Sequence, residues 1–115
     1  MSHDSFWKHE RVRKRREYLS TYHSGVRIES KNFITVLSRN QLGTKRLGIT
    51  VTKKVGNSVK RNRVKRLLRE FFRLNKSTLP DSHDIVIIVK KGVPPLTYHD
   101  VCTELKSLFI GRNNT

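Results

Sequence analysis

Positions 45 to 54, KRLGITVTKK, alternate as a half-buried strand does: Leu47, Ile49 and Val51 fall on one face, Gly48, Thr50 and Thr52 on the other. The first face is core, and the second is small and hydroxyl-bearing. Upstream, NFITVLSR (32 to 39) has strand composition and divides Phe33, Thr35 and Leu37 from Ile34 and Val36. The turn-like NQLGT between them, with Gly43 in place, predicts an antiparallel hairpin. VRIE (26 to 29) predicts a short strand before it. DIVIIVKK (84 to 91) is apolar on both faces, which predicts a strand inside the sheet and covered on both sides.

Helical spacing marks three further segments. KRREYLSTYHSG (14 to 25) sets Tyr18 and Tyr22 four residues apart, with Gly25 as a C-terminal stop. After Gly56 and Asn57, Ser58 is placed to cap a helix from about Val59 to Leu74. Its Val64, Leu67, Leu68, Phe71, Phe72 and Leu74 fall within one arc of roughly 160°. TYHD has the Thr-x-x-acid form of a capping box and opens a last helix from about Tyr98 to Ile110, stopped by Gly111. That helix buries Val101, Cys102, Leu105, Leu108 and Phe109. The expected fold is α+β, a single-domain α/β sandwich in the order α-β-β-β-α-β-α around a central mixed sheet.

Charge changes the picture. The chain has 115 residues, enough for one modest core, yet 25 Lys and Arg face 9 Asp and Glu, a net charge of +16. Such a field attracts polyanions, and nucleic acid is the natural one. On the 59 to 74 helix, Asn62, Arg63, Lys65, Arg66, Arg69 and Arg73 occupy the arc opposite the apolar one, with Glu70 the one carboxylate among them. Lys60 and Arg61 lie in its first turn, beside amides that favour a phosphate, and Lys53 and Lys54 arrive at the same end. A solvating role would suit a face of mixed sign. Here like charges weaken the helix by about a few tenths of a kcal/mol per pair, which a polyanion would reverse.

Other chemistry is sparse. Metal-dependent nucleases cluster carboxylates, whereas the acids here are scattered. Asp81, His83 and Asp84 in DSHD read as a turn before a strand. His3, His9, His23, His83 and His99 show no zinc-ligand spacing, and Cys102, the one cysteine, has no disulfide partner and fits a reducing cytoplasm. No apolar run approaches membrane-spanning length, and the N-terminus has no signal-peptide h-region. The organisation expected is a basic flexible arm over 1–13, a folded domain over 14–111 and a short tail over 112–115.

RLGITVTKKVGNSVKRNRVKRLLREFFR resembles the signature of the protein subunit of bacterial ribonuclease P: a Gly-containing strand ending in Lys-Lys, then Gly, a spacer and the RNR helix. The likeness extends through RVRKRREYLSTYHSG before it and LPDSHDIVIIVKKGVPPLTY after it, roughly residues 11 to 110. It implies the same element order and a left-handed crossover through the RNR helix, against the general right-handed rule. It also implies an enzyme that removes the 5′ leader from precursor tRNA, with catalytic groups and Mg2+ held chiefly by an RNA subunit. No catalytic residue or metal site is then expected in the polypeptide. Its partners would be the catalytic RNA and leader-bearing precursor tRNA, with no membrane and no obligate protein partner.

On this resemblance Lys53, Lys54, Lys60, Arg61, Asn62, Arg63, Lys65, Arg66, Arg69 and Arg73 contact RNA. A cleft formed by Arg13, Tyr18, Tyr22, Ile34, Val36, Thr50 and Thr52 takes the single-stranded leader. Tyr18 and Tyr22 stand where relatives usually carry Phe, and Val36 stands where some carry an aromatic. The two tyrosines suit either base stacking or half-buried packing. Three rival readings are a small basic ribosomal protein, a DNA-binding regulator and a self-sufficient nuclease. The first has no need of a single-strand channel, the second lacks a helix-turn partner, and the third lacks carboxylates.

Overall fold

The computed structural model describes residues 10–12 and 15–113. Helix α1 (Arg15–Ser24) leads into strands β1 (Val26–Glu29), β2 (Phe33–Arg39) and β3 (Arg46–Thr50). A 3-10 turn (Lys53–Val55) follows, then α2 (Ser58–Leu74), a second 3-10 turn (Lys76–Thr78), β4 (His83–Val89) and α3 (Tyr98–Asn113). The α-β-β-β-α-β-α order expected from the pattern is the one found.

The predicted hairpin is not. The sheet order is β1-β2-β4-β3: β4 lies between the two strands, antiparallel to β2 and parallel to β3. The reason is burial. β4 is apolar on both faces and takes the central position, where Ile85, Val86 and Ile87 are all buried. β3, with its glycine and threonine, is left beside it. The register is fixed by charge, because Arg46 lies opposite Asp84 and binds it through two nitrogens, at 2.8 and 2.7 Å. The 40–45 segment becomes a loop, in which the Asn40 amide donates to Thr44 O at 3.1 Å and to Asp84 at 2.8 Å.

Strand alternation divides the core into two layers. Phe33, Leu37, Leu47, Ile85, Ile87 and Val89 meet α2 and α3 through Leu68, Phe71, Phe72, Leu105 and Phe109. The opposite face presents Val36 and Val86, with Ile34 and Ile88, to Tyr18 and Tyr22 of α1. The result is α1, sheet, then α2 and α3. Gly25 ends α1 as expected, its N–H bonding Thr21 O at 2.8 Å.

The helix ends differ in detail. Asn57, not Ser58, caps α2, accepting from the Lys60 N–H at 2.9 Å. Leu74, the last residue of α2, is 52 % exposed, so the buried arc stops short of it. Thr97 and Asp100 form the capping box of α3, with reciprocal bonds of 2.9 and 3.1 Å. Gly111 does not stop α3, which runs to Asn113 and so past the expected domain boundary at 111. One glycine costs a helix only about 1 kcal/mol relative to alanine. Glu104 accepts from the Asn32 N–H and amide, at 2.7 and 2.8 Å, and holds α3 to the β1–β2 turn.

The 1–13 segment is not a free arm throughout. Val12 is 3 % exposed and its N–H donates to Leu47 O at 3.0 Å, extending the sheet beyond β3. Glu10 pairs with Lys76 at 2.6 Å. An apolar side chain and a ladder bond together outweigh the local charge.

Candidate nucleic-acid interface

Because Val64, Leu68, Phe71 and Phe72 commit one side of α2 to the core, its other side is presented outward. Asn62, Arg63, Arg66 and Arg69 are exposed and Lys65 is half-buried. Arg73 pairs with Glu70 and is the one α2 cation, among the described residues, in ion-pair contact with a carboxylate. Arg61 donates to Gly56 O at 3.2 Å and Arg63 to Leu96 O at 3.3 Å. Those carbonyls orient the guanidiniums without neutralising them. Lys53 and Lys54, exposed in the 3-10 turn, stand at the N-terminal end of the same helix. With the exception of Arg73, no cation of the set read from the sequence is ion-paired to a carboxylate among the described residues.

That surface continues across the molecule. A hollow of about 350 Å³ lies along α2 between Asn62, Lys65, Arg66, Arg69, Glu70 and Arg73. A second, of about 310 Å³, is lined by Lys65 and Arg69 again, now facing Arg11, Tyr18 and Ile49. A third, of about 520 Å³, is lined by Arg15, Tyr18, Leu19, Tyr22 and Thr50. Lys65 and Arg69 border both the first and second hollows, and Tyr18 both the second and third, so the three adjoin one another from α2 past β3 to α1.

In the third hollow the Tyr22 and Thr50 hydroxyls bond at 3.0 Å. The two tyrosine rings lie 6.4 Å apart, tilted by 53°. Burial pushes the Tyr18 phenol above its ordinary pKa, partly opposed by a hydrogen bond from the Ile49 backbone. Strand register puts Ile34, Ile88 and Thr50 in one row beside these rings. Ile34 and Ile88 are half-buried, and Thr52 is exposed beyond the end of β3.

Val36 does not line this cleft. It is 0 % exposed, packed beneath α1 where Gly25 comes close enough that a Cβ there would sit 2.6 Å from Val36 Cγ1. The valine expected to line the leader cleft is core. Arg13 lies outside the described residues. Sequence reading missed Arg11, Arg15, Leu19 and Ile88. Ile88 looked like core because DIVIIV is uniformly apolar, and only the register separates it from Val86. Arg15 was legible as helical charge, but nothing local showed which way it would turn.

Beneath the cleft, Arg46 joins Asp84 to Glu17 of α1, the latter at 3.0 Å. The Asp84 carboxylate, seconded by Glu17, holds the guanidinium pKa above even the usual arginine value despite burial. The DSHD stretch is a turn. Asp81 pairs with Lys45 at 3.2 Å, His83 Nδ1 meets Asp81 O at 2.7 Å, and Ser82 adopts φ 53°. Among the described residues no three of His, Cys, Asp or Glu are grouped to hold a metal ion. No helix among the described residues is long and apolar enough to cross a membrane.

Comparison with known proteins agrees with this architecture. The family model described as Ribonuclease P matches residues 6–111. The ribonuclease P protein component of Syntrophus aciditrophicus is 58 % identical over 98 residues, covering 85 % of this chain and 82 % of that one. That of Desulforapulum autotrophicum is 44 % identical over 105 residues, covering 91 % and 90 %. Among solved structures, the RNase P protein from Thermotoga maritima superposes with a TM-score of 0.79 at 34 % identity, covering 87 % of this chain and 94 % of that one. The RNase P protein of Staphylococcus aureus gives 0.79 at 28 % identity, covering 90 % and 94 %. The match runs from before α1 into the last turns of α3, and the chain belongs to the ribonuclease P protein family.

Proposed function

We propose that this chain is the protein subunit of a ribonuclease P, binding the catalytic RNA through the outer face of α2 and the 5′ leader of precursor tRNA through the hollow between α1 and the sheet. The observation that carries the reading is the series of adjoining hollows from the cations on α2 to a tyrosine-lined groove beside β3. Two polyanions must approach each other for leader removal, and guanidinium forks placed between them lower that electrostatic cost. Tyr22, beside the half-buried Ile34 and Ile88, offers a ring and a hydroxyl to a single-stranded base and its sugar.

In this reading the hydrolysis and its Mg2+ belong to the RNA subunit, while the polypeptide binds and orients. A cytoplasmic location and independence from other proteins are part of the same proposal. The family relationship favours this function over that of a ribosomal protein.

The direct test adds the purified protein to its cognate catalytic RNA at low Mg2+. Restored leader cleavage is expected, and no restoration would refute the proposal. Charge reversal at Arg63 and Arg66 should weaken binding to the catalytic RNA while the protein stays folded; unchanged affinity would remove α2 from the interface.

A further inference from the structure

We infer that Gly48 is the spacer that sets the depth of the α1–sheet cleft, acting through Tyr18, so that Tyr18 positions α1 while Tyr22 is the ring presented to the leader. This rests on the leader-binding reading above and assigns separate tasks to two tyrosines that the sequence leaves equivalent.

The argument starts from one face of β3. Arg46, Gly48 and Thr50 alternate onto the side that faces α1, and each meets a different residue of that helix. Arg46 bonds Glu17 at 3.0 Å, and the Thr50 hydroxyl bonds Tyr22 at 3.0 Å. Between them, a Cβ on Gly48 would lie 2.8 Å from Tyr18 Cε1 and 3.0 Å from its Cζ and Oη. The middle contact exists because a side chain is missing.

Tyr18 has little freedom to yield. Its neighbour Glu17 is tied to Arg46, which Asp84 grips from the other side. Its own ring is half-buried against the cluster of Val12, Val36 and Val86. A methyl group at position 48 would therefore lift α1 from β3 or swing the ring toward Tyr22, and both change the hollow lined by Tyr18, Tyr22 and Thr50. Tyr18 is a positioning residue here, and Gly48 its seat.

The test uses holoenzyme reconstituted with wild-type, Gly48→Ala, Tyr18→Leu and Gly48→Ala/Tyr18→Leu proteins. The readout is the ratio of affinities for leader-bearing precursor and mature tRNA. Gly48→Ala should lower that ratio by at least about fivefold, the lower end of what one stacked base contributes, without changing mature tRNA affinity. The double variant, having no ring atoms to meet the new Cβ, should recover part of the lost preference. A wild-type ratio in Gly48→Ala, parallel loss for both substrates, or a double variant no better than Gly48→Ala would overturn the inference alone. A wild-type protein with no leader preference would overturn the leader reading and the inference with it. Independently of position 48, Tyr22→Leu should remove more of the preference than Tyr18→Leu, and the reverse order would refute the division between them.

Discussion

Removing Arg66 and Arg69 together, as Arg66→Gln/Arg69→Gln, tests whether the α2 face meets phosphate. Lys60, Arg61, Arg63, Lys65, Arg66 and Arg69 have no ion-paired carboxylate among the described residues. If each takes one phosphate, about six counterions are released on binding, and the slope of log K against log salt is near −4 to −5. Between 50 and 200 mM salt, affinity for the catalytic RNA then falls roughly 250- to 1,000-fold. The variant engages about four phosphates, so its slope should shrink by about 1.5, with a fall of roughly 30- to 130-fold over the same range. Filter binding or fluorescence anisotropy at several salt concentrations measures both slopes. Both residues are exposed and like-charged, so the variant should melt no lower than wild type. A slope that does not change, or a wild-type response that is flat, would refute the reasoning.

Two further outcomes concern the scaffold. Arg46→Ala strands Asp84, whose side chain is 10 % exposed, and should cost about 3 to 5 kcal/mol in urea unfolding, as breaking one member of a buried ion pair does; a loss below about 1 kcal/mol would show the triad to be surface-like. Asp100 has its carboxyl pKa lowered by hydrogen bonds from Thr97. A folded-state pKa below the unfolded one means its stabilisation is complete above the ordinary carboxylate range and is lost as pH falls through the lower folded value. Asp100→Asn should therefore melt lower than wild type at neutral pH, with the gap closing in acid, and a gap that persists in acid would place the effect elsewhere.

The elements and the charged face were legible because each is written in local periodicity. The apolar arc of α2 leaves its cations one side to occupy, whatever the helix packs against, and the Thr97–Asp100 cap is complete within four residues. The alternation of Leu47 and Ile49 against Gly48 and Thr50 likewise survives any change of neighbour, because it is a property of one strand, although β3 ends at Thr50 and leaves Val51 and Thr52 outside it.

Strand order was decided elsewhere. The 40–45 segment has the composition of a hairpin turn, yet β4 enters between β2 and β3 because burial on both faces and the Arg46–Asp84 pair favour it there, and those terms join residues 38 apart. The same long-range packing buried Val36, drew Val12 onto the β3 edge and brought Tyr18 onto Gly48. Periodicity reports which face a side chain takes; how close the opposing element comes is set by the tertiary fold, because that distance depends on volumes and charges contributed by distant segments.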